Sequence, residues 1–179
     1  ALNLFEIDQF PEELIAVNSL YEQGLISTDE FIDFYSNNFN NLSQDVIIKA
    51  WNYILKDFPI DRFKFIQKLA KEKEYKLILL SNTNELHINW IKKHIHFYTE
   101  FKDCFDKFYL SHLIGLRKPN KNIFEFVLDN NNLQANECLF IDDTKENTET
   151  AKELGFNTWN IDESKEDVID LFTTKKALF

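Results

Sequence analysis

A short apolar run that ends in two adjacent acids places the strongest constraint on what this chain can fold into. Residues Cys138 to Ile141 are apolar, which is typical of a strand buried on both faces, and Asp142 and Asp143 follow directly. Thr144 then occupies the position of a helix N-cap, before a helix predicted to end at Gly155. Two carboxylates are therefore expected at the carboxyl end of a buried strand, the edge where open α/β sheets bind ligands.

The adjacent acids need a partner or a solvated position. Two like charges about 4 Å apart repel by roughly 4 kcal/mol at an effective dielectric constant near 20. A divalent cation removes this repulsion, and Mg²⁺ prefers oxygen ligands. Alternatively, Asp142 and Asp143 only place negative charge at a helix start, where the helix dipole favours it. The pair by itself leaves both interpretations open.

The composition is that of one ordinary domain, or of a domain with a small appendage. The chain has 179 residues, 44% of them hydrophobic, with only 3 Gly and 3 Pro, so long disordered linkers are not expected. The formal net charge of -10 argues against non-specific binding to nucleic acid or to an anionic membrane surface. A small anionic substrate is still compatible, because a local cation can reverse the field inside a pocket.

The cysteines and the apolar runs indicate a cytoplasmic location. Cys104 and Cys138 do not suggest a disulfide framework, and a reducing compartment is predicted. No apolar run approaches the ~20 residues that a membrane-spanning helix needs. The chain begins at Ala1 without a signal-peptide pattern and without an initiator Met, which suggests that the sequence is not the whole gene product.

The periodicity of apolar residues changes once along the chain. Residues 1–58 show helical spacing and no convincing strand, which predicts a small helical bundle. In residues 59–179 helical segments alternate with apolar strands, among them 75–80 and Lys107 to Leu110. This alternation predicts an α/β fold with a parallel sheet. Near the end of the chain, Ser164 is predicted to cap a last helix.

Three polar clusters follow strands or lie in loops of the predicted sheet. Ser81 and Asn82 end one strand, Asp142 and Asp143 end another, and Lys118 lies in a loop between them. Because right-handed crossovers bring the carboxyl ends of parallel strands to one edge, we expect the strand-derived clusters to meet there. A hydroxyl, an amide, an ammonium and two carboxylates could then bind a phosphate beside a metal ion.

The order of three segments resembles a known family. The segments LILLSNTNELH, SHLIGLRKPNKNIFEFVL and CLFIDDTKENTETAKELGF are similar to those of the haloacid dehalogenase superfamily, and in particular to subfamily I phosphatases with a helical cap. The nearest branch includes bacterial sugar-phosphate phosphatases such as glucose-1-phosphate phosphatase. The resemblance extends roughly from Gly24 to Phe172. It implies a Rossmann-like core over residues 59–179 and a small all-helical cap over residues 1–58.

The resemblance implies roles for the polar clusters. Ser81 matches the hydroxyl that binds the transferring phosphoryl group, and Asn82 matches its neighbour at the same strand end. Lys118 matches the lysine that neutralises the charge of the phosphate and the nucleophile. Asp143 matches the principal Mg²⁺ ligand, with Asp142 assisting directly or through water.

Alternatives to these roles remain open. Ser81 could simply cap the following helix, and Lys118 could be an exposed loop lysine. Asn147 stands where many relatives have another acid, so its role is undecided. His87 is predicted to pack or cap rather than catalyse, and His112 could either line the pocket or end a strand.

The family's nucleophilic aspartate has no match in the sequence. In capped relatives it ends the first strand of the sheet and precedes the cap. Asp8 is not assigned to this role, because no apolar strand precedes it and no second acid lies two residues on. We expect an upstream strand of roughly 10–20 residues to supply the nucleophile and to pair between the strands predicted at 77–80 and 139–141, since orphaned ladder groups would cost ~1–3 kcal/mol each.

The sequence therefore suggests a Mg²⁺-dependent phosphomonoester hydrolase that acts on a small phosphorylated metabolite, such as a sugar phosphate, through an aspartyl-phosphate. One alternative is a non-catalytic binding or regulatory domain that keeps the fold and lacks the nucleophile. Another is a 2-haloacid dehalogenase-type hydrolase, against which the acid pair Asp142 and Asp143 argues.

Overall fold

A computed structural model describes residues 11–39, 42–55 and 57–176 of the chain. Asp8 lies outside these residues. The chain divides into two compact units, Ala1–Arg117 and Lys118–Phe179. The division predicted from periodicity, at residues 58 and 59, is not tested by this partition and stays a prediction.

The described residues of the first unit form seven helices and one pair of parallel strands. Its elements, in chain order, are α1 (Glu12–Glu22), α2 (Thr28–Asn38), α3 (Gln44–Asn52), α4 (Ile60–Glu72), β1 (Ile78–Ser81), α5 (Glu85–His94), α6 (Tyr98–Lys102), β2 (Lys107–Leu110) and α7 (Ser111–Ile114). Strands β1 and β2 run parallel with Ile78 opposite Lys107 and Ser81 opposite Leu110. The carboxyl ends of both strands therefore lie side by side.

Aromatic side chains form the core of the first three helices. Helix α2 begins with a capping box in which Ser27 and Glu30 satisfy each other's backbone amides. This start turns Phe31 and Tyr35 inward, and both are fully buried. The Phe31 ring stacks on Tyr21 at 4.2 Å and meets the edge of Trp51 at 4.7 Å between ring centroids. One aromatic cluster thus joins α1, α2 and α3.

Gly24 sets how closely the turn after α1 approaches α7. Its φ is +65°, and a Cβ built there would lie 2.1 Å from the backbone oxygen of His112. Gly115 has a similar φ of +72°, but no atom lies within 4 Å of its Cβ position. A side chain at either position would strain the backbone, but only a side chain at position 24 would also collide with a neighbouring atom.

We expect Gly24→Ala to lower the free energy of unfolding by about 3 kcal/mol or more, because strain and a clash with backbone add together. Gly115→Ala is the matched control and should cost only about 1 kcal/mol, from the left-handed conformation alone. Urea unfolding of both variants measures the difference. Equal losses in the two variants would contradict the close approach of Gly24 to His112.

The second unit has the same alternation of helices and strands. Its elements are α8 (Lys121–Asn131), a 3₁₀ turn (Ala135–Glu137), β3 (Leu139–Asp142), α9 (Lys145–Glu153), β4 (Asn157–Asn160), a second 3₁₀ turn (Val168–Asp170) and α10 (Leu171–Thr174). Strands β3 and β4 are parallel, with Asp142 opposite Asn160. Phe124 of α8 packs edge-on against Phe140 of β3 at 5.2 Å between centroids. The mixed α/β class with parallel strands, predicted from the sequence, is confirmed.

Two local predictions are wrong. Strand β3 was expected to be buried on both faces, but Leu139, Phe140 and Ile141 are only half-buried, and among the described residues β3 pairs with β4 alone. Ser164 does not cap a helix. Its hydroxyl donates to the Asp162 carboxylate at 2.6 Å, forming a local turn that competes with helix formation.

Candidate active site

A buried ion pair lies at the carboxyl end of β3. The Lys118 ammonium donates to Asp142 Oδ2 at 2.6 Å, and the two side chains are only 8% and 7% exposed. The ammonium also lies 5.4 Å from the centre of the Phe140 ring, whose face attracts a cation. Lys118 is therefore not an exposed loop lysine, which was one of its two sequence interpretations.

The other oxygen of Asp142 organises the start of α9. Asp142 Oδ1 accepts hydrogen bonds from the Thr144 backbone amide and from the Asn147 side-chain amide, both at 2.9 Å. Thr144 is at the N-cap position, but its side chain makes no capping bond. Asp142 thus fixes the N-cap residue and the first turn of α9 through these two bonds, and the capping bond predicted for Thr144 is not formed. Asn147 is buried, and its contact with Asp142 is a role that the sequence did not reveal.

Asp143 has the opposite environment. Its side chain is exposed, while its backbone oxygen accepts from Asn160 Nδ2 at 2.9 Å. The same Asn160 amide also approaches the backbone oxygen of Asp142 at 3.2 Å, so β4 fixes the backbone of both acids. The two adjacent acids therefore have different environments. The Asp142 carboxylate is buried and hydrogen-bonded, and the Asp143 carboxylate is exposed at the surface.

Ser81 and Asn82 lie at the end of β1 in the first unit, and both are half-buried. The helix that follows is capped by Asn84, whose Oδ1 accepts from the His87 amide at 3.0 Å. Ser81 is thus not the cap of α5, and its hydroxyl only approaches the Asn82 carbonyl at 3.5 Å. Whether Ser81 and Asn82 meet Lys118 in one pocket stays a prediction.

The first turn of helix α5 is linked by hydrogen bonds to α1 and α2. The Leu86 amide donates to the Tyr21 hydroxyl at 3.2 Å, Tyr21 in turn contacts the Thr28 hydroxyl at 2.9 Å, and Thr28 donates to Glu85 Oε2 at 2.5 Å. Because Thr28 gives its one proton to Glu85, the Tyr21 hydroxyl must donate to Thr28. This chain of hydrogen bonds has a single direction and ends on a carboxylate.

His87 makes a second link to α3. The Asn84 amide nitrogen lies 3.2 Å from His87 Nδ1, and His87 Nε2 lies 3.1 Å from the Trp51 carbonyl oxygen. Since Asn84 Oδ1 already accepts from the His87 backbone, the amide nitrogen faces Nδ1, which must then be an acceptor. The imidazole is therefore the neutral tautomer with its proton on Nε2. Burial lowers the pKa of His87, and the bond to Trp51 offsets this only in part.

His87 should make stability dependent on pH in a defined direction. Below about pH 6.5 the unfolded chain protonates this side chain while the folded chain does not, so protons favour unfolding. We expect the free energy of unfolding to fall as the pH drops below 6.5, with His87 contributing up to about 1.4 kcal/mol per pH unit. Urea titrations between pH 5 and 7.5 measure it. His87→Gln should remove this contribution, whereas His94→Gln, at an exposed position of the same helix, should retain it; equal slopes in both variants would contradict the assignment.

The acidic residues at the end of β3 are the candidate metal ligands. No group of three or more His, Cys, Asp or Glu side chains comes together among residues 11–39, 42–55 and 57–176. The donor set at the end of β3 is nevertheless suitable for a hard cation. Asp143 offers an exposed carboxylate, and Asp142 has three of its roughly four acceptor positions in use, which leaves it suited to a contact through water.

The sequence of this chain matches a known family model. The model for haloacid dehalogenase-like hydrolases matches residues 5–155. This chain belongs to the haloacid dehalogenase-like hydrolases. The family predicted from the three sequence segments is thereby confirmed.

Individual members of the haloacid dehalogenase (HAD) family are also similar to this chain in sequence and structure. D-ribitol-5-phosphate phosphatase from Bacteroides thetaiotaomicron is 33% identical over 142 residues, which cover 77% of this chain and 68% of that protein. The HAD family enzyme BT-2542 from the same organism, in a magnesium complex, has a TM-score of 0.81 at 34% identity and covers 90% of this chain and 82% of its own. A predicted HAD-like hydrolase from Porphyromonas gingivalis has a TM-score of 0.74 at 30% identity, over 88% of this chain and 76% of its own.

The HAD relatives confirm the interpretation as a phosphatase-type hydrolase. The roles assigned to Ser81, Asn82, Lys118, Asp142 and Asp143 stay predictions. In the described part of the chain no helix has the length and apolar character needed to span a bilayer.

Proposed function

We propose that the protein is a Mg²⁺-dependent phosphomonoesterase for a small phosphorylated polyhydroxy compound such as a sugar or polyol phosphate. The observation that supports this most is the buried contact between Lys118 and Asp142, beside the exposed carboxylate of Asp143. At this strand end, a buried ammonium can neutralise phosphate charge, and an exposed carboxylate can bind a metal ion. Phosphoryl transfer uses both interactions. The phosphatase relative that acts on D-ribitol 5-phosphate suggests the substrate class.

Lys118 would neutralise the phosphoryl oxygens. Its burial excludes water, so its charge acts at low effective dielectric and is stronger than that of a surface lysine. Asp142 and the Phe140 ring restrict the ammonium to one position, which removes the need to reorganise it during the reaction. The Ser81 hydroxyl and the Asn82 amide would supply further hydrogen bonds to the phosphate.

Asp143 would hold Mg²⁺ directly, and Asp142 would do so through water. A bound Mg²⁺ supplies Lewis-acid stabilisation of the phosphate charge. Magnesium complexes are known for BT-2542, including one that also contains inorganic phosphate and has a TM-score of 0.78 at 34% identity to this chain. Asn147 and Asn160 would position the two acids rather than bind the ion themselves.

The nucleophile would be an aspartate, which the family resemblance places at the end of the first strand of the sheet. Its attack on phosphorus would give an aspartyl-phosphate that water then hydrolyses. The helices α1–α3 would close the site against water and select the substrate. The pairing of β3 with β4 alone, among the described residues, is compatible with a further strand beside it.

Hydrolysis assays with and without Mg²⁺ test this proposal. We expect release of phosphate from p-nitrophenyl phosphate and, more efficiently, from D-ribitol 5-phosphate. EDTA should remove the activity and Mg²⁺ should restore it. Hydrolysis that is unchanged by EDTA, or chloride release from a 2-haloacid in place of phosphate release, would overturn the assignment.

A further inference from the structure

A cavity of about 450 Å³ lies within the first unit, and none of the residues assigned to phosphate binding lines it. It is enclosed by the turn between α1 and α2, one side of α5, the end of β2 and α7, and neither Ser81 nor Asn82 lines it. The close approach of Gly24 to the His112 backbone closes one wall. Cavities of this volume are typical of small-molecule sites.

The floor of the cavity is apolar and fixed. Tyr21, Ile88 and Leu110 are at most 7% exposed, and the rings of Tyr98 and Phe108 meet edge to face at 6.2 Å. The Tyr21 and Thr28 hydroxyls lie in the wall, but both are already used in the directed hydrogen-bond chain that ends on Glu85. This part of the cavity therefore suits an aliphatic or aromatic body rather than a hydroxylated one.

One polar atom in the wall has unused capacity. His112 Nδ1 is buried and has no hydrogen-bond partner among the described residues, which costs free energy that a bound group could recover. His112 lines the cavity together with Glu85 and Lys92. Burial lowers the pKa of His112, the Glu85 carboxylate and a hydrogen bond to the Thr83 backbone oppose this shift, and Lys92 reinforces it.

The rim has an excess of one positive charge. Lys92 and Lys102 both line the opening, are exposed, and form no ion pair within residues 11–39, 42–55 and 57–176. Among the described residues that line the cavity, Glu85 is the one acid. In a chain with a net charge of -10, such a local cationic excess favours a small anion.

We propose that this cavity binds a small organic anion with an apolar or aromatic body that ends in one carboxylate. The body would lie on Ile88 and Leu110, the carboxylate would contact Lys92 and Lys102, and His112 would donate to it. None of the residues assigned to phosphoryl transfer lines this cavity, and the proposal does not depend on the proposed phosphatase activity.

The test compares phenylacetate with its neutral isostere phenylacetamide on the full chain by calorimetry and ¹H–¹⁵N NMR. We expect saturable binding of phenylacetate in about the millimolar range, with shifts at the amides of Ile88 and Leu110. Phenylacetamide should bind about tenfold more weakly, because it lacks the charge-assisted bonds. Inorganic phosphate with Mg²⁺ should not displace the probe.

Variants of the lysines identify the contact. The double variant Lys92→Gln, Lys102→Gln should weaken phenylacetate binding about tenfold, to the level of phenylacetamide. Lys93→Gln is the matched control, since Lys93 is an exposed lysine of the same helix that does not line the cavity. The proposal is overturned by an absence of saturable binding, by equal affinity for both probes, by displacement with phosphate, or by equal effects of the double variant and Lys93→Gln.

Discussion

Replacement of Lys118 by methionine should abolish Mg²⁺-dependent phosphatase activity and lower the free energy of unfolding by about 3–5 kcal/mol. The stability loss follows because the Asp142 carboxylate, only 7% exposed, would remain buried without its cation. The activity loss follows because, in the part of the chain that the structure describes, Lys118 is the buried cation at the end of β3. Phosphate-release assays and urea unfolding measure the two effects on the same preparation.

Two further variants separate stability from catalysis. Lys121→Met removes a lysine that is 57% exposed and paired with Glu153, so it should cost less than about 1 kcal/mol. The double variant Lys118→Met, Asp142→Asn removes both charges of the buried pair and should recover most of the stability, since apolar or neutral replacement of a buried pair is often tolerated. Activity should remain lost. Recovery of hydrolysis together with stability would assign Lys118 a purely structural role.

Asp143→Asn should show the opposite pattern, with loss of activity and unchanged stability. The Asp143 carboxylate is exposed, so its removal should change the free energy of unfolding by no more than about 0.5 kcal/mol. Loss of a direct metal ligand should reduce kcat/KM by about 100-fold or more and raise the Mg²⁺ concentration needed for half-maximal rate.

The neighbouring acids provide the controls for this prediction. Asp142→Asn weakens the bonds to Lys118, Thr144 and Asn147 and should therefore lower stability as well as activity. Glu146→Gln changes an exposed acid of the same helix start and should leave both properties intact. If Asp143→Asn retained the activity and the Mg²⁺ dependence of the unchanged protein, the assignment of Asp143 as metal ligand would be wrong.

The sequence was informative where a pattern depends on local chemistry. Strand β2 was predicted at Lys107 to Leu110 and is observed there, because short apolar strands between turn residues have few alternatives. The position of Asp142 and Asp143 at a strand end followed from the same reasoning. Their different roles did not, since only the packed structure shows which carboxylate faces a buried cation and which faces solvent.

Errors arose where side chains compete for the same backbone groups. Ser164 resembled a cap, but Asp162 binds its hydroxyl, and Asp167 caps the following turn by accepting from the Ile169 amide. The role of Asn147 was left undecided by the sequence, and the structure shows its amide donating to Asp142 at 2.9 Å. Such choices depend on three-dimensional neighbours that no spacing rule contains.

The directed hydrogen-bond chain from Leu86 to Glu85 has a consequence for how the first unit opens. The Leu86–Tyr21 and Thr28–Glu85 bonds join positions 65 and 57 residues apart in the sequence, so neither can form until the segments around Tyr21 and Thr28 have docked on α5. The Leu86 amide proton is consequently a single-atom reporter of that docking. Its rate of exchange with deuterated water gives the free energy of separating α1 and α2 from α5 without unfolding the remainder.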